Sequence, residues 1–315
     1  MRIATFNVEN LFTRYRFASG VDPADAAQQG FTSESLRFRL SEPQDKRLTA
    51  DTMLAVDADV FALQEVESLG VLKQFRDRFL GGPHGWPHAL VIDGNDQRGI
   101  DVGVLSRFPI VHARSWQHLW ADGGYVFDRD CLEVDVEGPL GRLTIFVNHF
   151  KSMHPTGRSA GSGRAETRDR RRLQAAAVKD IVQQRFGPDP GDAPFVVLGD
   201  LNDYLDDDAQ GQSGIRGLVG WDAVVNVVDR LPEAERWTHH FNGHRPSGLE
   251  PAYRQLDFLL PSRGLATRNP GAPHIERRGQ PKRARRFAGE RFAGVGVDRP
   301  KASDHCPIAY EISLL

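Results

Sequence analysis

The chain has 315 residues, of which 40% are apolar and 26% charged, and its net charge is −2. This is an ordinary globular balance with material for a sizeable core, and it excludes a strong overall field that would favour nucleic acid. Two cysteines, Cys131 and Cys306, are too few for a disulfide framework and wrongly spaced for a zinc site, which fits a reducing compartment while leaving a single bridge open.

The N-terminus, "MRIATFNVEN", runs directly into strand-like sequence. It lacks a charged segment followed by a long apolar core, so no signal peptide is expected and the location is read as cytoplasmic. A secreted protein whose signal had been removed would read the same way. No window reaches the apolar length of a membrane span. A soluble monomer is the simple expectation.

In chain order, "RIATFNV" (2–8) reads as a buried strand and "KRLTADTMLAV" (46–56) as a helix carrying Leu48, Met53, Leu54 and Val56. "DVFALQEV" (59–66) is a second buried strand. "VLKQFRDRFL" (71–80) puts Leu72, Phe75 and Phe79 on one helical face. Strands follow at 88–92, 101–110, 129–138 and 141–150. The third of these alternates as a sheet strand with one wetter face would. Residues 165–186 form the longest helix candidate, with Leu173, Ala177 and Ile181 in steps of four and Gly187-Pro188 as its stop. "PFVVLGDLND" (194–203) is a strand ending in a polar turn. "RQLDFLL" (254–260) and "PIAYEISLL" (307–315) complete the set.

Two segments read as loops: 151–164, rich in Gly, Ser and basic residues, and 263–301, strongly basic around 276–291. Such charge runs are either solvated faces or phosphate-backbone contacts. Neither looks like a domain linker, so residues 1–315 are expected to form one domain of many strands with helices outside.

The informative feature is where polar residues fall. Asn7 and Glu9 end the first strand, and Gln64-Glu65 the second. Asp101 opens the strand that follows the loop. Asn148-His149 end "TIFVNHF", Asp200 and Asn202 end "FVVLGDLND", Asp257 interrupts "QLDFLL", and Asp304-His305 open the last strand. Singly, each has an ordinary reading as a turn, a cap or a structural histidine. Together they would be costly to bury unless they satisfy one another or hold a metal. Carboxylates without cysteines favour Mg2+, Mn2+ or Ca2+ over zinc. Histidines and asparagines beside them suit neutralising a phosphate.

In order, "FNVEN", "LQEVES", "DVGVLSR", "NHFKS", "GDLND", "QLDFLL" and "SDHCPI" resemble the endonuclease/exonuclease/phosphatase superfamily. That resemblance implies a four-layered α/β-sandwich, with two central, mostly antiparallel sheets flanked by helices and the site at one end of them. It also implies metal-assisted hydrolysis of a phosphate ester, with one or two ions of Mg2+ or Mn2+. By the same resemblance Glu65 is the principal metal ligand, Glu9 a further acid that holds the metal directly or from behind its ligands, and Asp304 the second metal-side acid. Asn7 orients the site, Asp200 serves the attacking water, and Asn202 holds a phosphate oxygen. His305 contacts the phosphate with Asp257 orienting it, and His149 lies near the leaving group with Asp101 as its acid partner. The general base stays open between Asp200 and His305. Having His149 where abasic-site enzymes carry a tyrosine points away from abasic-site repair. DNA or RNA is the leading substrate, with Lys151, Arg164 and Arg168 as candidate contacts. A phosphomonoesterase, a lipid or small-molecule phosphodiesterase, and a catalytically silent binding module are the competing readings.

Overall fold

The computed structural model describes residues 1–12, 15–17, 38–40, 43–154, 163–243 and 250–313. Its first half contains β1 (Arg2–Leu11), β2 (Tyr15–Phe17), β3 (Phe38–Leu40), α1 (Pro43–Val56), β4 (Val60–Val66), α2 (Leu69–Phe79), β5 (His88–Val91), β6 (Asp101–Ser106) and β7 (Ile110–Arg114). A small hairpin, β8 (Trp120–Ala121) and β9 (Gly124–Tyr125), leads to β10 (Cys131–Gly138) and β11 (Gly141–His149). The second half holds α3 (Gly163–Phe186), β12 (Phe195–Asp200), α4 (Arg216–Val219), β13 (His239–Phe241), β14 (Ala252–Arg254), β15 (Asp257–Pro261), α5 (Arg263–Arg268), β16 (His274–Ile275) and β17 (Ile308–Glu311).

Two sheets face each other. One has the order β16-β17-β1-β4-β6-β5 and the other β15-β12-β11-β10-β7. Each contains one parallel pair, β1 with β4 and β11 with β12, and is otherwise antiparallel. Side chains alternate across each strand, so one strand serves two cores. Ile3, Val60, Val102 and Val104 meet Val134, Ile145 and Val196 between the sheets. Phe6, Phe61 and Leu63 point the other way, onto Leu48 and Met53 of α1 and Leu72 and Phe75 of α2. Phe146, Phe195 and Val197 pack against Val178, Ile181 and Val182 of α3. The result is the expected four-layered sandwich, helix–sheet–sheet–helix.

Two local expectations change. The run 101–110 is not one strand. It breaks before Pro109, whose ring has no N–H for a ladder, and its halves join different sheets. The wetter face expected for β10 is covered. Glu133 and Asp135 are each 1% exposed because Arg185 of α3 pairs with both, at 3.4 and 2.9 Å. The two cysteines are buried, unbridged thiols. Among the described residues no helix is long and apolar enough to cross a membrane.

Candidate active site

Strand register assembles the site. β11 and β12 pair His149 with Asp200, and β12 and β15 pair Asp200 with Asp257. Side by side, these strand ends deliver a histidine and two aspartates to one edge. Gly199 permits the close approach: its φ is +139°, and a Cβ there would lie 1.9 Å from the Asn148 carbonyl oxygen. Ser303 ties in the last strand, donating to the Asn7 carbonyl at 2.7 Å and accepting from the His305 N–H at 3.0 Å.

Backbone strain gathers at the same end. Six described non-glycine residues have positive φ, and four lie here: Glu9 (47°), Asn10 (61°), Glu65 (66°) and Asn202 (51°). Such conformations cost about 1–3 kcal/mol each and persist where surrounding bonds fix them. Register shifts in the β1/β4 and β4/β6 pairings accompany them. The Asn10 N–H donates to Glu65 Oε2 at 2.9 Å, and the Asn202 N–H to Asp200 Oδ1 at 2.8 Å.

Asp200 is the hub. Its Oδ2 accepts from Asn7 Nδ2 and Asn202 Nδ2, each at 3.0 Å. His149 Nε2 lies 3.5 Å and His305 Nε2 3.8 Å from that same oxygen. Burial pushes the Asp200 carboxyl up to about 7; His305 pulls it down and Asp257 pushes it further up. His305 Nδ1 lies 2.8 Å from Asp257 Oδ2. Burial disfavours the charged ring, yet Asp257 and Asp200 outweigh it and hold His305 well above the ordinary histidine range. His149 is driven well below that range by burial, with Arg129 and His305 adding. His305 is thereby biased toward its cationic form and His149 toward its neutral one, and both approach the same Asp200 oxygen.

The acids suit a divalent cation. Glu65 is pushed up by burial and then by Asp304. Burial and Asp304 raise Glu9 to about 7, even against Lys301 and Arg299. Asp257 Oδ1 is buried with no hydrogen-bond partner. Among the described residues two groups have ligand atoms within 4.8 Å of one another: Asp200, Asp257 and His305, and His239, Asp304 and His305. Carboxylates whose ionisation is opposed by burial first and by a neighbouring acid after it are what a bound cation relieves.

Asn7, Glu65, His149, Asp200, Asn202, Asp257, Asp304 and His305 come together. Other expected residues are placed differently. Glu9 borders the site but is engaged by Arg299 and by Lys301 Nζ at 2.8 Å, and it accepts from the Asp304 N–H at 2.9 Å. It is a salt-bridged support more than an open ligand. Asp101 is not beside His149; its Oδ1 accepts from the Gly94 N–H at 2.8 Å, and burial raises it to about 6. Arg129 stands at His149 instead, with Nη2 3.1 Å from its Nε2, and pairs with Asp96 at 3.2 Å. Asn202 uses its side-chain amide on Asp200 and on the Phe150 carbonyl, at 3.0 and 3.1 Å, and so orients the acid in this state.

Arg164 is not a surface contact. It is 1% exposed, bonds Asp203, Tyr204 and Gly211, and stacks 3.6 Å over the Tyr204 ring. Arg168 stays at the surface of α3 beside Asp169 and Gln212. Lys151 is half-buried, its N–H donating to Gln174. The basic run 276–291 is divided: Arg277 bonds the Trp237 carbonyl, Arg278 pairs with Glu276 and Arg291 caps three carbonyls, while Lys282, Arg283, Arg285 and Arg286 are exposed, Arg283 in a surface pair with Asp298. Residues 155–162 of the first basic loop lie outside the described residues.

Sequence reasoning missed Arg129, His239 and Thr238. Thr238 Oγ1 accepts from both the Leu256 and Asp257 N–H groups at 3.1 Å, and its carbonyl accepts from the Cys306 N–H at 2.6 Å. It therefore positions Asp257 and His305 at once. The "WTHHF" run (237–241) was the available signal, with two adjacent histidines shortly before "QLDFLL".

The family model described as "Endonuclease/Exonuclease/phosphatase family" matches residues 4–305. No curated protein matches the chain by sequence. Among solved structures, beta toxin from Staphylococcus aureus superposes with a TM-score of 0.62 at 15% identity, covering 99% of each chain. The human Nocturnin catalytic domain with bound sulfate gives 0.58 at 15% identity, covering 100% of this chain and 94% of that one. D. rerio TDP2 complexed with a single-strand DNA product gives 0.55 at 16% identity, covering 98% of this chain and 97% of that one. At these identities the likeness is one of fold.

Proposed function

We propose that this chain, which belongs to the endonuclease/exonuclease/phosphatase family, is a divalent-metal-dependent phosphodiesterase acting on nucleic acid, with residues 1–315 as one catalytic domain. The observation that carries the reading is the convergence of Asn7, Asn202, His149 and His305 on one buried oxygen of Asp200. In-line displacement at phosphorus needs an activated water, neutralised phosphoryl oxygens and help for the departing oxygen. A carboxylate raised to about 7 suits proton removal from water near neutral pH. Asn7 and Asn202 fix its orientation. Cationic His305, steadied by Asp257, faces the phosphate oxygens. His149, biased toward its neutral form and flanked by Arg129, serves the leaving group.

Glu65 and Asp304 are the residues that would hold Mg2+ or Mn2+, which when bound supplies charge neutralisation at the phosphoryl oxygens. Nucleic acid is favoured by the fold shared with the TDP2 structure that carries a single-strand DNA product. Exposed Arg98 donates to Asn10 Oδ1 at 3.0 Å beside the Glu65 edge, and Arg168 lies on the α3 surface. One observation favours a second reading, a lipid or small phosphate ester: Arg164 is buried against Asp203, and Arg277 and Arg291 of the basic run spend their donors on backbone carbonyls, so these three offer little to a long polyanion.

A metal-supplemented panel of plasmid, linear DNA, RNA, bis(4-nitrophenyl) phosphate, inositol phosphates and sphingomyelin tests both. Hydrolysis of DNA or RNA that weakens steeply with salt is expected. Turnover of sphingomyelin or inositol phosphates alone would transfer the reading to the second class. No turnover of any substrate would overturn it.

A further inference from the structure

Strand register carries a row of side chains away from His305. His305 forms an isolated antiparallel bridge with His239, and His239 pairs in turn with Arg254 across β13 and β14. Residues directly opposite on antiparallel strands project their side chains to the same face, with Cα atoms about 4.5–5.5 Å apart. His305, His239 and Arg254 therefore share one face, and His305 Nε2 on that face lies 3.8 Å from Asp200. The two imidazole centroids are 4.6 Å apart. The Arg254 guanidinium carbon lies 4.6 Å from the centroid of the Tyr204 ring, so the row borders the segment that follows Asp200 and Asn202. The Thr238 N–H donates to the Arg254 carbonyl at 3.0 Å, which ties the backbone of Arg254 to the residue that holds Asp257.

Arg254 also has donors to spare. Its side chain is 39% exposed, and among the described residues it donates no hydrogen bond; its acid neighbour, Asp208 Oδ2, is 3.8 Å away. That oxygen already accepts from the Tyr204 hydroxyl at 2.6 Å, and Asp208 Oδ1 accepts from Arg164 Nη1 at 3.2 Å. Within this cluster Asp203 and Asp208 are matched by Arg164 and Arg171, which leaves Arg254 as the surplus positive charge. Stacking on Tyr204 orients the guanidinium plane without using its N–H groups. An oriented, solvent-reachable fork of donors is suited to bidentate capture of a phosphate.

We propose that Arg254 binds a phosphate adjacent to the scissile one in a nucleic acid strand, so that the site prefers substrates carrying that flanking phosphate. The inference rests on the nucleic-acid phosphodiesterase reading above and deepens it. Two antiparallel steps, about 9–11 Å between Cα atoms, separate Arg254 from the histidine that faces the scissile phosphate. His239 stands between them and keeps the two phosphate positions apart. A lysine in place of Arg254 would supply charge without the planar stack or the fork.

The test compares dinucleotides of thymidine and of uridine, each without a terminal phosphate, with a 5′-phosphate and with a 3′-phosphate, using full-length protein and saturating Mg2+ or Mn2+. Wild type is expected to hydrolyse one phosphorylated form with kcat/KM about tenfold or more above that of the unphosphorylated one. Arg254→Gln should bring that ratio to about one, and Arg254→Lys should keep part of it. The ratio is taken within each variant, so a partly unfolded preparation does not alter it, and circular dichroism checks the fold. Equal rates on all three forms in wild type, or an undiminished ratio in Arg254→Gln, would overturn the inference. In either case metal-dependent hydrolysis of the dinucleotides would leave the proposed function standing; no hydrolysis of dinucleotides or of longer DNA or RNA would remove both.

Discussion

At Asp200, a carboxyl raised to about 7 has His305, biased toward the cation, at 3.8 Å and His149, biased toward the neutral ring, at 3.5 Å. The arrangement makes stability depend on pH in the metal-free protein. His305 is raised in the folded state, so its contribution is complete below its unfolded value of about 6.5 and is lost as pH climbs toward the folded value. Asp200 and Glu9, also raised, lose the last of theirs through about 7. Below about 6.5, His149 and His239 act in the opposite sense, because both are lowered. The clean window is therefore pH 6.5 to 8, where thermal melts of EDTA-treated protein should fall with pH. Asp257→Asn removes the leading acid partner of His305 and should flatten that fall; a profile rising with pH would contradict the assignment. Asp200, Asn202, Asp257 and His305 were legible because each is a costly polar residue beside an apolar run. Arg129 and His239 were not. An arginine just before a strand and a histidine opening a three-residue strand look ordinary until 238–240 bonds to 304–306, and that pairing leaves no local trace.

The element that steadies the hub is α3, through Asp203. This aspartate is fully buried and receives Arg164 Nε at 2.8 Å, Arg171 Nε at 2.9 Å and the Gly214 N–H at 2.8 Å. The segment after Asp200 and Asn202 is thereby clamped to the helix. Removing one partner of a buried ion pair costs about 3–5 kcal/mol, since the other charges stay behind. Asp203→Ala should therefore lower Tm substantially and slow turnover, while Asp203→Asn, which keeps two acceptor contacts, should lose less; equal stability of Asp203→Ala and wild type in a denaturant titration would contradict the clamp. Arg164 and Arg168 read alike in sequence because both belong to one arginine-rich stretch of α3. Only the return of Asp203 across the helix separates the buried one from the surface one. The same limit hid the burial of Glu133 and Asp135, whose partner Arg185 lies on α3.

Across the whole molecule, the sandwich was legible because strand periodicity survives each apolar run, and the ordered polar strand ends span both sheets. Sheet order was not, since β6 and β7 are neighbours in sequence and occupy different sheets. Both parallel pairs, β1 with β4 and β11 with β12, end at the site. They bring Asn7, Glu65, His149 and Asp200 to one edge, while β15 adds Asp257 and the segment leading into β17 adds His305. This convergence of strand ends is what makes metal-dependent ester hydrolysis the central claim. The most direct test is hydrolysis of bis(4-nitrophenyl) phosphate by metal-stripped protein, before and after adding Mg2+ or Mn2+. Background rates in EDTA, restored by either ion, are expected, with Asp200→Asn roughly 10²–10⁴-fold slower under the restored conditions. Full hydrolysis in excess EDTA, or an Asp200→Asn variant as fast as wild type, would contradict the account.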